Sequence, residues 1–460
     1  MVFSSTSFVF FFLPLCLVLY YVLPGIRAKN IVLLLFSLVF YAWGEPVYII
    51  LMVLSILMNY LVGLFMDRIP EWKKPILIVG VVMNLALLGF FKYYGLFADA
   101  VNAVTGFGLT AHALPLPIGI SFYTFQALSY DIDLYRGKFK VQKDPFRFAL
   151  YISMFPQLIA GPIVRYETVA EQLEKRTVTF ENLGRGMGRF IFGLAKKVLI
   201  ANLLGALFEE TGFINSSASV LTAWIGLIAF GFQIYFDFSG YSDMAIGLGK
   251  MMGFDFPENF DSPYASASVT EFWRRWHMTL GTWFREYVYI PLGGNRVKPI
   301  RHVINILIVW GLTGLWHGAS VNFLLWGLYY GLLLLFEKYV LFRLKSFPKV
   351  LGHVFTLIAV FLGWGLFSAT SFQEIAMVFS NLFGGSGAGL YDSKGLKLLL
   401  SGGILLLVGA AASLPYAKRF RVWMEEKEQP LLFFVSAVLM FLSIAFLVTE
   451  NYNPFLYFRF

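Results

Sequence analysis

Long apolar runs, broken at short intervals by basic clusters and turn-forming residues, dominate this chain. Crossing about 30 Å of hydrocarbon at 1.5 Å per residue takes about 20 apolar residues in a helix. On that scale the candidate spans are 8–24, 30–43, 46–66, 75–92, 115–134, 190–208, 219–238, 302–317, 320–337, 351–369, 396–414 and 430–449; the second and eighth are short. These runs lack strand alternation, and backbone groups in lipid must find partners within their own segment, so helices are expected throughout. The pattern predicts an all-α, polytopic membrane protein with about 11–12 transmembrane helices.

Two regions break the pattern. Residues 148–189 hold the apolar stretch Met154-Phe-Pro-Gln-Leu-Ile-Ala-Gly-Pro-Ile-Val-Arg165, interrupted by Pro156, Gly161 and Pro162. Residues 239–301 are rich in polar and aromatic side chains, yet too apolar for a free loop. Irregular backbone at membrane depth survives only where protein or a wet cavity covers it. Both are expected to be re-entrant or membrane-parallel segments that build a chamber. Without an internal repeat or linker, residues 1–460 are expected to form a single integral-membrane domain. The segment before Phe8 carries no basic residue and no Ala-x-Ala-like site follows the run to Leu23, so this run reads as a retained span, not a cleaved signal peptide.

Composition sharpens the class. Apolar residues make up 58% of the chain and charged ones only 14%, with a mean hydropathy of +0.71, whereas soluble domains carry about 25% charged residues. Disorder, a nucleic-acid partner and an ordinary cytosolic enzyme are excluded; the lipid bilayer is the main solvent. The net charge of +9 reflects Lys and Arg held in loops on one side. Arg27 and Lys29, then Arg68, Lys73 and Lys74, then Arg136 through Arg147, Arg274 through Arg301, Lys338 through Lys349 and Lys418 through Arg421 all share a side if the spans alternate. By the positive-inside rule that side is the cytoplasm, and both ends of the chain face outward. The expected location is a cell membrane, multi-pass, and in a bacterium the cytoplasmic (inner) membrane. Cys16 is the only cysteine, which excludes an intramolecular disulfide and a Cys-based zinc site.

Chemistry must come from few groups. Of the five histidines, His112, His302 and His353 stand in contexts that favour interfacial or packing roles. His317 lies in Gly314-Leu-Trp-His-Gly-Ala-Ser320, an apolar segment where a titratable group is costly and therefore a functional candidate. His277 lies in Phe272-Trp-Arg-Arg-Trp-His-Met-Thr-Leu280, an aromatic and basic stretch. A hydrogen-bonded core histidine is the alternative in each case. The pair makes a poor zinc site, which wants three or four ligands, and no metal is expected. It suits general acid–base work near neutral pH. Arg274, Arg275, Arg285, Arg296 and Lys298 form either a surface for anionic lipid heads or a mouth for an anionic donor, with Arg274, Arg275 and Arg285 the candidate donor-binding residues. Asp237 and Asp243 are expected to pair with arginines, and Gly184-Arg-Gly-Met-Gly188 matches no phosphate loop. In the tail, residues 451–460, four of the last six residues are aromatic, a composition expected to dock.

The runs Phe155 through Tyr166, Tyr235-Phe-Asp-Phe-Ser-Gly-Tyr-Ser-Asp-Met-Ala245, Phe272 through Arg296 and Gly314-Leu-Trp-His-Gly-Ala319 resemble the membrane-bound O-acyltransferases (MBOAT), most of all the alginate O-acetyltransferase branch. Trp-Arg-Arg-Trp-His followed 40 residues later (317 − 277) by the histidine of Trp-His-Gly is the specific part of the resemblance. It implies helices around a central tunnel, with His317 as the essential catalytic histidine and His277 as its partner. It also implies transfer of an acyl group, most of all acetyl, from a cytoplasmic thioester such as acetyl-CoA to an outward-facing hydroxyl, for O-acetylation of an extracytoplasmic polysaccharide. No tightly bound cofactor is expected; the thioester is a substrate. The tail resembles the aromatic end of a small partner in teichoic-acid D-alanylation, which makes Tyr457 a candidate acyl relay to an extracytoplasmic acyltransferase. D-alanyl transfer to teichoic acid is the alternative within the class. A transporter or flippase is the alternative outside it.

Overall fold

The computed structural model describes residues 1–108, 116–343, 348–449 and 456. Among these the regular structure is helical throughout. Among the described residues ten helices are long and apolar enough to cross a membrane, and Phe8–Val22 is a shorter apolar helix. In chain order the helices are α1 (Phe8–Val22), α2 (Ile26–Gly44), α3 (Ile49–Arg68), α4 (Lys73–Thr105), α5 (Ile120–Tyr135), α6 (Pro145–Ser153), α7 (Phe155–Leu158) and α8 (Tyr166–Glu174). There follow α9 (Phe180–Thr211), α10 (Val220–Met251), α11 (Val269–Arg275), α12 (Met278–Phe284), α13 (Pro299–His317) and α14 (Val321–Tyr339). The last are α15 (Lys349–Ser368), α16 (Phe372–Leu382), α17 (Ser393–Ser413), α18 (Pro415–Lys427) and α19 (Gln429–Thr449). The chain is a multi-pass membrane protein, as the apolar runs predict. Contacts divide it into two compact units, Met1–Ile191 with Tyr241–Pro257, and Phe192–Gly240 with Glu258–Phe460.

In the first unit, α5 is short for a span, and all of its residues except Ile132 and Tyr135 are buried. Its polar side chains Thr124, Gln126, Ser129 and Asp131 therefore face protein, not lipid. A helix buried all round need not be uniformly apolar, which is why the run 115–134 looks weak as a span. The stretch broken by Pro156, Gly161 and Pro162 is fully buried from residue 150 to 164, in the short helices α6 and α7 and the irregular backbone after them. Its core is aromatic: Phe3, Phe8, Phe40 and Phe155 pack with ring centroids 5.0–6.4 Å apart. The glycine run 184–188 proves to be a packing device. A Cβ on Gly247 would stand 2.6 Å from the Gly186 carbonyl oxygen, so the two helices meet backbone to backbone.

In the second unit, α13 and α14 form a tight hairpin. A Cβ on Gly314 would overlap the Phe323 carbonyl, and one on Gly327 would overlap that of Trp310. These two glycines set how closely the helices approach, three residues before the His317 position at the C-terminal end of α13. The run expected to end at residue 238 instead continues as one helix to Met251. The reason is that its two carboxylates are paired: Asp237 meets Lys197 at 2.7 Å in this unit, and Asp243 meets Arg189 at 2.8 Å in the other. Asp243 thus pairs with arginine as expected, whereas the partner of Asp237 is a lysine.

Candidate functional site

The site grows from the break between α11 and α12. Glu337, buried on α14, accepts from the backbone N–H groups of Val269 and Thr270 (2.8 Å for Thr270) and from the Thr270 hydroxyl at 2.7 Å. A carboxylate at a helix N-terminus satisfies free N–H groups and the positive end of the helix dipole, so α11 is held against α14. After Arg275 the chain turns through Trp276 and His277, and the segment around Asn259 holds that turn. The Met278 N–H donates to the Asn259 carbonyl at 3.0 Å and the Asp261 N–H to the Arg275 carbonyl at 2.9 Å. His277 itself takes a left-handed backbone conformation, φ +44°. For a side-chain-bearing residue this costs about 1–2 kcal/mol, and it persists because Asn259 and Asp261 grip the two sides of the turn.

That grip also decides the state of the imidazole. Asn259 Oδ1 accepts from the Thr279 N–H at 3.3 Å and from the Thr279 hydroxyl at 2.9 Å, and it stands 3.1 Å from His277 Nδ1. An oxygen that receives a backbone N–H is an acceptor, so Nδ1 carries the proton and Nε2 the lone pair. Among the described residues Nε2 has no hydrogen-bond partner. Burial pushes this imidazole down to about 3, so it is neutral at physiological pH. In the unfolded chain the group titrates near 6.5, so between those values the unfolded state binds more protons and stability falls as pH falls. Thermal unfolding of the wild type is expected to shift down between about pH 6.5 and 4, and His277→Gln to shift less over the same window. Equal slopes would show that His277 is not buried as a neutral ring.

The two imidazoles flank one indole. The Trp316 ring centroid lies 5.9 Å from that of His277 and 5.0 Å from that of His317. His317 is also packed edge-on by Trp326 at 5.0 Å and Phe367 at 5.4 Å, and is 8% exposed. Both histidines line a single cavity of about 1310 Å³. Its wall carries four cations, Arg274, Arg285, Arg296 and Lys338, and no carboxylate among the described residues. None of the four has an ion-pair partner among the described residues. A chamber with cations of one sign concentrates anions.

The expected donor-binding arginines separate here. Arg274 and Arg285 line this cavity, whereas Arg275 turns to Glu271 at 2.7 Å and lines a different cavity of about 720 Å³. Tyr457 and His112 lie outside the described residues. Leu456, next to Tyr457 in the chain, is buried, and its N–H donates to Asp237 Oδ2 at 2.9 Å. His353 donates from Nδ1 to the Ser266 carbonyl, 2.9 Å away. Sequence reasoning placed Arg296 in the same basic stretch as Arg274 and Arg285, but it did not single out Asn259, Glu337 or Lys338. Only the Glu271–Arg275 spacing of four residues, the usual helical ion-pair register, signalled in advance that Arg275 has a partner.

The chain matches the family model for membrane-bound O-acyltransferases over residues 35–379. It is 43% identical over 391 residues to a probable alginate O-acetylase from Pseudomonas syringae pv. tomato, covering 83% of this chain and 75% of that protein. A peptidoglycan O-acetyltransferase from Helicobacter pylori is 36% identical over 430 residues, 85% of this chain and 81% of that one. A teichoic acid D-alanyltransferase from Bacillus subtilis is 28% identical over 281 residues, 57% of this chain and 71% of the other.

Proposed function

The chain belongs to the membrane-bound O-acyltransferase family, and from this premise we propose that it moves an acetyl group from a cytoplasmic thioester, acetyl-CoA or another acyl carrier, to an extracytoplasmic polysaccharide. The observation that carries the reading is the pair of imidazoles, drawn from two separate motifs, on the wall of one carboxylate-free cationic cavity. A phosphate-bearing thioester is drawn to the cations, and the cavity lies within a unit built of membrane-spanning helices.

His317 is the general base. The attacking hydroxyl oxygen bonds to the thioester carbonyl carbon while His317 takes its proton. The tetrahedral intermediate then expels the thiol, breaking the C–S bond, and His317 returns the proton to sulfur. The carbonyl end of α13, where His317 sits, favours the positive charge that the imidazole gains during transfer. His277 orients the donor: with its proton held by Asn259, its free lone pair accepts an N–H of the pantetheine arm. It has no proton to offer an oxyanion. The indole N–H of Trp273, buried on the cavity wall without a partner among the described residues, is the donor available for that charge.

Tyr457 is the acyl relay in this reading. Support comes from its neighbour Leu456, which is anchored on Asp237 inside the second unit. A phenol of pKa about 10 makes an ester that a second, extracytoplasmic transferase opens readily. The test is mass spectrometry of envelope glycans from cells carrying wild-type, no gene or Tyr457→Phe. O-acetyl groups should be lost without the gene, and lost again with Tyr457→Phe while the protein still inserts. Unchanged acetylation without the gene refutes the function, and unchanged acetylation with Tyr457→Phe refutes the relay alone. D-alanine esters lost in place of acetyl would move the assignment to the D-alanyl branch.

A further inference from the structure

The cavity of about 720 Å³ that Arg275 lines takes no part in the chemistry assigned above. One face of α18 forms much of its wall: Pro415, Arg419, Trp423 and Lys427, each four residues from the last, all line it. Lys418 and Lys349, the first residue of α15, line it as well. The charges on this wall fall into two groups. Arg275 is neutralised by Glu271 at 2.7 Å and Lys418 by Asp261 at 2.8 Å. Lys349, Arg419 and Lys427 have no ion-pair partner among the described residues, and Glu426 is the one carboxylate on the wall that stands unpaired against them. The Arg419 guanidinium lies 5.9 Å from the Tyr416 ring centroid, a contact that leaves its N–H fork for an oxyanion. Three unspent cations against one carboxylate make this a site for an anion.

The setting decides what the anion belongs to. Helix α18 joins two spans, α17 and α19, and six of its 13 residues are charged, so it stays at the membrane surface. Tyr416, Phe420 and Trp423, at i, i+4 and i+7, form an exposed aromatic row along it, with Phe420 and Trp423 stacked at 5.7 Å. Aromatic side chains at the ends of spans sit at headgroup depth, and a helix with a basic face beside an aromatic one lies in the interface. Trp423 belongs both to the row and to the cavity wall, so the cavity opens at that depth. The positive-inside rule assigns α18 and the start of α15 to the cytoplasmic leaflet, where anionic lipid heads gather. A soluble anion has no use for an aromatic shelf.

We propose that Lys349, Arg419 and Lys427 bind the phosphodiester headgroup of an anionic membrane phospholipid, whose chains run past the aromatic row. The site also reaches the turn that carries His277. Asp261 and Arg275, joined there by the 2.9 Å bond from the Asp261 N–H to the Arg275 carbonyl, both line this cavity. A headgroup held between α15 and α18 ties the wall to which both residues belong, and the turn steadies with it. Neither statement depends on the acyl-transfer reading.

In the test, the purified wild type in a neutral detergent is titrated with phosphatidylglycerol, with phosphatidylcholine and with glycerol 3-phosphate, a soluble headgroup, while its unfolding midpoint is followed. Phosphatidylglycerol should raise the midpoint and the other two should not. The half-saturating phosphatidylglycerol concentration should rise about thirtyfold in the double variant Arg419→Gln with Lys427→Gln, the loss expected for two basic residues at an anionic surface. It should fall in Glu426→Gln, which removes the opposing charge. All three positions are exposed, so the variants are expected to fold. No shift with phosphatidylglycerol, an equal shift with phosphatidylcholine, or an unchanged titration in the double variant overturns the site. An equal shift with glycerol 3-phosphate overturns the lipid and reassigns the site to a soluble anion. In hydrogen–deuterium exchange, phosphatidylglycerol should slow the amides of Asp261 and Met278 severalfold in the wild type and not in the double variant; unchanged exchange with lipid bound overturns the steadying of the turn.

Discussion

Replacing His317 with alanine is expected to abolish acyl transfer, a loss of about 10²–10⁴-fold, while the protein still folds and inserts. The size follows from the chemistry: without a base, the hydroxyl must attack with its proton in place. Survival of the fold follows from the position. His317 is the last residue of α13 and borders a cavity, and alanine has the highest helix propensity. The hairpin packing through Gly314 and Gly327 does not involve the imidazole. The aromatic side chains around it, Trp316, Trp326 and Phe367, also contact other rings, so the collar does not hinge on one residue. The measurement pairs acetyl transfer in reconstituted vesicles with the unfolding midpoint of the same sample. A variant that still transfers acetyl at the wild-type rate removes the assigned base; one that loses transfer only because it unfolds is exposed by its midpoint, and His317→Gln, closer in size, then serves as the comparison.

Much of this architecture was legible in the chain because lipid imposes a simple rule: apolar runs of sufficient length become helices. Each long run has its helix. What hydropathy does not show is which polar residues have partners. The run through Asp237, Ser239 and Asp243 looks like the end of a span, yet α10 continues because Lys197 and Arg189 approach the two carboxylates from distant parts of the chain. Arg274 and Arg275 are neighbours in sequence, but one residue is 100° of helix rotation, enough to send one into the cavity and the other to Glu271. His277 and His317 could be singled out because a titratable group in an apolar setting demands an explanation. Asn259 could not: it lies 18 residues before His277, follows no periodicity and acquires its function only when the chain folds back on itself. His302, which in sequence reads as an interfacial side chain beside Arg301, shows its contacts only once Tyr289, Lys338 and Tyr339 surround it.

Replacing Asp237 with alanine should destabilise the protein by about 3–5 kcal/mol, because it removes one half of a buried ion pair, the carboxylate that meets the Lys197 ammonium at 2.7 Å. The two side chains are 3% and 4% exposed and 2.7 Å apart, so water cannot take the place of the carboxylate. The same substitution also deletes the acceptor of the Leu456 N–H, and the two losses can be separated. Replacing both partners, Asp237→Leu with Lys197→Met, removes the buried charges together and should return most of the stability, since an apolar pair often matches or exceeds a buried ion pair. It does not return a carboxylate oxygen to the Leu456 N–H. If anchoring of the tail serves acyl transfer, the double variant is stable and still defective; if the pair serves only the fold, stability and transfer recover together. Unfolding midpoints and acetyl transfer measured on the wild type, the single variant and the double variant discriminate these outcomes, and an Asp237→Ala protein as stable as the wild type would refute the buried pair itself.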